Sequence, residues 1–271
     1  MSRRLPAAVL AVALGAHALA QAPSQPQPTT TTRPTQGTNP VQPGTAPVSS
    51  FDKKLEELDA TVTKIEDLTA DFEQEKRTPL LKKPLVSSGT VKVKGSTTRW
   101  DTLKPRPTAM TIDASELKIY YPEQKTVEVY PVAGGMAELA ASPLPRNKTV
   151  REHFTIAEVP AKDIDANAKD GELGLALTPI KDTLKEHVAQ VRVIIDGTTG
   201  IGRLVEITDA DGEVTVMRFS NVKTNTGLKD EDVTLKTPER TTISRPLQGE
   251  APKPADPSTQ PPQEREKEPK K

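Results

Sequence analysis

The chain contains no cysteine. That excludes disulfide bonds, and it excludes a lipid-modified cysteine behind an export signal. An excess of charge of either sign is also missing: 37 lysines and arginines balance 37 aspartates and glutamates. A nucleic-acid partner needs a basic surface, so this balance argues against one. Histidine is scarce, and beyond the first twenty residues only His153 and His187 remain. There is no G-x-S-x-G elbow and no H-E-x-x-H pair, so neither a nucleophilic hydrolase nor a zinc peptidase is indicated. Both histidines read as ordinary surface or edge residues. Aromatics make up 3% and include a single tryptophan, Trp100. Nothing in the sequence points to an enzyme, a cofactor or a metal.

What is abundant is proline, 26 residues crowded toward the two ends. Residues 1–20 have the form of a secretory signal. Arg3 and Arg4 precede the apolar run Leu5 to Leu19, and Ala18-Leu19-Ala20 is a small-residue cleavage site. The run is short for a membrane span. Residues 21–50 are almost all Pro, Thr, Gln, Ser and Gly, a composition that does not bury enough apolar surface to offset its ordering entropy. Residues 247–271, rich in Pro, Glu and Lys, read the same way. The sequence thus predicts an exported chain with one folded part over 51–246, a linker before it and a tail after it.

The folded part opens with Phe51, Leu55, Leu58, Val62, Ile65, Leu68 and Phe72 at steps of three and four, which predicts one helix over 51–72 with Ser49 as its N-cap. After Pro84 the period becomes two. Val91 and Val93, Met110 and Ile112, Leu117, Ile119 and Tyr121, and Val127 and Val129 alternate with polar residues, hairpin after hairpin. Asp113-Ala-Ser115 and Pro122-Glu-Gln124 read as turns between them. Gly134-Gly135 leads into a short helix candidate at 136–141, and Thr149 to Val159 offers a second. Strands return at Leu173 to Leu177, Val191 to Ile195, Val205 to Ile207 and Val214 to Phe219. Asp209-Ala-Asp211-Gly212 is a hairpin signal between the last two, and Val233 with Leu235 suggests a final strand before Pro238. The count is nine to eleven antiparallel strands with a few helices. Asp163-x-Asp165-x-Asn167 begins like a calcium loop, but Ala168 stands where glycine is required and Gly174 where the closing glutamate belongs; it reads as a polar turn.

Taken in order, several segments resemble the periplasmic outer-membrane lipoprotein carrier family (LolA-type). They are Phe72-x-Gln74, Pro84-Leu-Val-Ser-Ser-Gly89-Thr-Val, Arg99-Trp100 with Pro105, and Leu117-x-Ile-x-Tyr121-Pro122. Further along come Leu177-Thr-Pro179, Asp211-Gly212 through Phe219-x-Asn221-x-x-x-Asn225-x-x-Leu228, and Pro238. The spelling of 71–89 is similar to a divergent LolA-like branch. The resemblance implies a mainly β fold, a strongly curved antiparallel sheet forming an incomplete barrel, closed by a helical lid. In the family an arginine six residues before the tryptophan latches the lid; that position is Lys94 here.

The resemblance further implies a monomeric periplasmic carrier that holds the acyl chains of lipoproteins or related lipids. An inner-membrane releasing complex would load it and an outer-membrane acceptor would unload it. A lipid-binding sensor on the same fold, without transport, is the alternative. The expected cavity residues are Val91, Val93, Trp100, Met110, Ile112, Leu117, Ile119, Tyr121, Val127 and Val129. Phe72, Lys94, Met136 and Leu139 are expected at the lid or rim. Taken singly, each cavity position reads first as core packing and second as ligand contact, because alternation alone does not separate a filled core from a lined cavity.

Overall fold

Ser49 begins the first helix as the sequence predicts: its Oγ accepts a hydrogen bond from the Asp52 amide at 3.0 Å. The computed structural model describes residues 49–132 and 147–246. The signal segment, nearly all of the linker, the 136–141 helix candidate with Met136 and Leu139, and the tail lie outside the described residues.

Helix α1 (Ser50–Val62) buries Leu55, Leu58 and Val62. It stops there, not at Phe72. Asp67–Arg77 is strand β1, with a burial pattern that alternates along it. Leu68 and Phe72 satisfy both a helical step of four and a strand step of two, and Ala70 between them is buried as well. The strand wins because β1 is paired on both sides, with β2 (Leu85–Lys94) and with a strand some 150 positions later, β11 (Val214–Thr224). That second partner is invisible to any local pattern.

The remaining strands are β3 (Thr97–Lys104), β4 (Thr108–Ile112), β5 (Glu116–Tyr121), β6 (Thr126–Pro131), β7 (Phe154–Val159), β8 (Glu172–Pro179), β9 (Val188–Asp196), β10 (Gly202–Asp209) and β12 (Thr242–Ser244). Short helices α2 (Asn147–Arg151), α3 (Ala161–Ile164), α4 (Asp182–Lys185) and α5 (Asp230–Val233) join them. Three local expectations need correction. The helix expected over 149–159 divides into α2 and strand β7. Val233 ends α5, and no strand covers Leu235; that edge of the sheet is completed by β12 instead. The strands number twelve among the described residues, and the β12–β6 pair is parallel.

The twelve strands make one open curved sheet in the order β12-β6-β5-β4-β3-β2-β1-β11-β10-β9-β8-β7. It is mainly β and does not close, as the fold class predicted. The long hairpin sequence places turns at two rims. One rim, called distal below, collects loops 78–84, 105–107, 122–125, 180–187 and 210–213. The opposite, proximal rim carries the start of β1 and the loops at 95–96, 113–115, 160–171 and 197–201.

Helix α1 defines the inner face. Leu55 and Leu58 pack on Leu175, Leu177, Val193 and Ile195, together with Val150 of α2 and Leu184 of α4. Each such leucine contributes about 1.5–3 kcal/mol by leaving water. Gly200 fixes the seat: it has φ +74°, and a Cβ there would lie 2.8 Å from Val62 Cγ2. Asn147 ties α2 to α1, its amide donating to Asp59 Oδ1 and its Nδ2 to the Leu55 carbonyl. The outer face holds two smaller clusters, Ile194, Leu204 and Val216 beside α3, and Tyr120, Val127 and Val129 beside Leu235.

Candidate functional site

Antiparallel register lines up apolar residues across the inner face. One row runs Ala70, Val91, Trp100, Met110, Ile119 over β1 to β5. A second runs Leu68, Val93, Thr98, Ile112, Leu117, Tyr130 and reaches β6. Met217 and Phe219 extend the surface onto β11, and the whole set forms one buried cluster. No residue of a described helix belongs to it.

At its centre Trp100 meets Phe72 edge to face, ring centroids 4.9 Å apart, and Phe219 at 5.9 Å with tilted planes. Such pairs add about 0.5–1.5 kcal/mol beyond area burial. Gly89 lies beside this group. It lies opposite Phe72 on β2, at an irregularity in the β2–β3 register, and a Cβ on it would sit 1.9 Å from the Asp101 carbonyl oxygen. Glycine at this position thus permits a close approach of two backbones. Met110 and Met217 give the wall two flexible, polarisable side chains.

Polar side chains interrupt the apolar surface at the buried Gln74 and Thr98 and at Glu128. Glu128 Oε2 accepts hydrogen bonds from the Tyr130 hydroxyl at 2.9 Å and the Tyr121 hydroxyl at 3.1 Å. Burial pushes both tyrosine pKa values up, and the adjacent carboxylate adds to the rise. Both hydroxyls thus stay protonated donors across the physiological range. The face is a mainly apolar wall with one hydrogen-bonded carboxylate, and among the described residues it presents no nucleophile paired with a base. Among the described residues no group of acidic or histidine side chains is arranged to hold a metal ion.

The sequence profile described as outer membrane lipoprotein carrier protein LolA matches residues 63–235. The chain belongs to the LolA family. No curated protein matches it. Among solved structures it is similar to an uncharacterized conserved protein from Thermus thermophilus, at 13% identity and TM-score 0.47, covering 73% of this chain and 99% of that one. A LolA superfamily protein from Nitrosomonas europaea gives 14% identity and TM-score 0.38, covering 68% and 96%. Lipoprotein LppX from Mycobacterium tuberculosis gives 8% and 0.39, covering 65% and 96%. LolA-like proteins are carriers or binding proteins rather than enzymes.

Of the cavity residues expected for a LolA-type chain, Val91, Val93, Trp100, Met110, Ile112, Leu117 and Ile119 come together on the inner face, with Tyr121 partly buried at the margin. Val127 and Val129 do not. They are buried on the outer face beside Tyr120, because β6 pairs Ile119 with Glu128 and Tyr120 with Val127. The inner residue of β6 is Tyr130. Phe72, expected at the rim, is buried in the middle of β1. Lys94 projects from the outer face, its Nζ 2.8 Å from Asp230 Oδ1 of α5. Arg99 is also outside, clasping Asp101 and donating to the Thr234 carbonyl at 2.7 Å.

Sequence reasoning missed a second LolA-segment feature. The Asp67 carboxylate accepts from the Thr226 amide and hydroxyl, both at 2.7 Å, and from the amides of Gly227 at 2.8 Å and Leu228 at 3.1 Å. Burial alone would raise its pKa, but these hydrogen bonds outweigh it and hold the carboxyl below its ordinary value. Asn225-x-x-Leu228, noted only as a family spelling, is the loop that wraps this carboxylate and joins β11 to β1. The Asp163–Asn167 stretch is the end of α3 and the turn that follows it: Asp165 accepts from the Asn167 amide at 3.0 Å and from Arg203 at 3.1 Å.

Proposed function

We propose that this LolA-family chain is an exported carrier that binds acyl chains of lipoproteins, or related lipids, on its apolar inner face and moves them through the periplasm toward the outer membrane. The observation that supports it is the cluster around Trp100: a wide apolar surface, soft at Met110 and Met217, filled by no described helix, in a chain of the lipoprotein-carrier family. A lipid tail gains about 0.8 kcal/mol for each methylene taken out of water. It therefore crosses an aqueous compartment only when a protein covers it. In the closed state the inner side chains cover one another, so loading requires this half of the face to open. The segment between β6 and α2, with Met136 and Leu139, is the proposed lid. Residues 1–20 act as the export signal and 21–50 as a spacer in this reading. The lid latch differs from the family pattern, since Lys94 is engaged by Asp230 on the outer face.

The test is mass spectrometry of lipid bound to the protein purified from its native envelope, followed by depletion in the cell. Co-purified lipoprotein or acyl lipid, with lipoproteins retained in the inner membrane on depletion, supports the carrier. An empty protein overturns the reading. Bound lipid with lipoprotein sorting intact on depletion replaces transport with lipid sensing.

A further inference from the structure

The large apolar side chains that stay exposed are not scattered. Among the described residues, Leu80, Leu81, Leu85, Val86 and Leu103 lie on the β1–β2 loop and the adjoining ends of β2 and β3. Ile180 and Ile243, the other two exposed large hydrophobics, belong to the same distal rim. Leu80 is the most exposed of them, at 72%. The loop projects because β1 and β2 run on to Lys76 and Leu85 while the pairing of β2 with β3 starts only at Ser88 opposite Lys104.

Cations surround this apolar tip. Lys82 and Lys83 separate Leu81 from Leu85 in the chain, and Lys104 and Arg106 stand on the neighbouring β3–β4 turn, all exposed. None of the four forms an ion pair among the described residues. Beside the loop, Lys76 pairs with Glu213 and Arg77 with Glu75; Glu123, Lys125, Lys181, Glu186 and Asp211 stand on the more distant loops of the same rim. The chain's own C-terminal segment is not a suitable cover, for residues 248–271 hold no Val, Ile, Leu, Met or aromatic side chain. Leucines at a projecting tip, ringed by unpaired lysine and arginine, match a bilayer surface: the apolar groups enter the acyl boundary while the cations meet headgroup phosphates.

We propose that the distal rim, led by the Leu80-Leu81-Lys82-Lys83 loop, docks on anionic membrane surfaces. This surface is separate from the inner face, and the inference does not rest on the cargo reading.

The experiment is flotation of the full chain with phosphatidylethanolamine vesicles made with and without phosphatidylglycerol, at low and high salt. The full chain is expected to float with the anionic vesicles at low salt only. Leu80→Ser with Leu81→Ser is expected to weaken binding roughly tenfold. Lys82→Gln with Lys83→Gln should weaken it roughly fivefold for each cation removed and flatten the salt dependence. The substituted residues are exposed, so thermal melts of the variants should match the parent. Absence of flotation in the parent chain, or flotation indifferent to both pairs of substitutions, overturns the proposal. So does self-association of the chain that the leucine substitutions abolish while vesicles are ignored, which would assign the rim to a second copy.

Discussion

The two halves of the inner face are built differently. Over β7 to β10 the sheet is covered by the chain's own helices, and the filling is mostly aliphatic, with Leu55 and Leu58 from α1, Val150 from α2 and Leu184 from α4 beside Phe154 and the partly buried Phe51. Over β1 to β6 and β11 the filling consists of strand side chains, and the Trp100–Phe72–Phe219 group, Tyr130 and both inner methionines are here. A helix with branched aliphatic side chains packs into one arrangement, because few rotamers fit at interior density. Aromatic edges and methionines tolerate repacking. In the proposed reading the first half is the scaffold and the second exchanges its own side chains for a ligand. β1 and β11 are the seam, held at its proximal end by Asp67.

The largest break is expected at Gly89. Gly89→Val places a side chain against the Asp101 backbone and should cost more than about 4 kcal/mol, seen as loss of the folded fraction or of soluble protein. Next comes a paired comparison of the halves. Leu58→Ala should lower stability by about 2–5 kcal/mol in urea denaturation and leave bound lipid per folded protein unchanged. Val91→Phe should cost only about 1–3 kcal/mol from overpacking yet reduce bound lipid. Equal loss of lipid in both variants would erase the distinction between the halves.

At the seam, Asp67→Asn removes a charge that four hydrogen bonds hold, with an expected cost of about 2–3 kcal/mol at neutral pH. The carboxyl titrates below its ordinary value of 3.8, so its stabilisation is full above that range. It is lost as pH falls through the lowered folded value. The asparagine variant should show a smaller acid loss than the parent in a denaturation series below about pH 5. The smallest effect concerns the scaffold half. His153 is buried behind α2, and burial, aided by Lys181, lowers its pKa from the ordinary 6.5. The folded state then binds fewer protons than the unfolded chain, so stability should decline as pH falls through 6.5 toward the lowered value. His153→Gln should remove that decline.

The sheet was legible because its strands alternate cleanly over hairpins with readable turns, such as the one at Asp113, whose Oδ1 accepts from the Ser115 amide at 2.8 Å. The boundary between α1 and β1 was not. Ile65, Leu68 and Phe72 continue the helical step, and only the distant partner β11 decides for a strand. Val127 and Val129 look locally like Leu117 and Ile119, since each pair alternates with polar residues. Which parity faces inward depends on the register across the hairpin turn, and Lys125 in a left-handed conformation (φ 47°) sets that turn. Lys94 shows the same limit from the charged side: its spacing from Trp100 suggests a latch, but its contact is with Asp230.

The amino-acid order by itself determined that this protein has a sheet-rich folded part, no cysteine chemistry, no G-x-S-x-G or H-E-x-x-H motif and the marks of a lipoprotein-carrier family, because these follow from composition, local period and motif order. The tertiary structure alone decided which face each valine joins, that Asp67 closes the seam, and that the exposed leucines gather on one rim with unpaired cations. Those outcomes depend on strand register and on contacts between residues far apart in the chain, which no local pattern encodes.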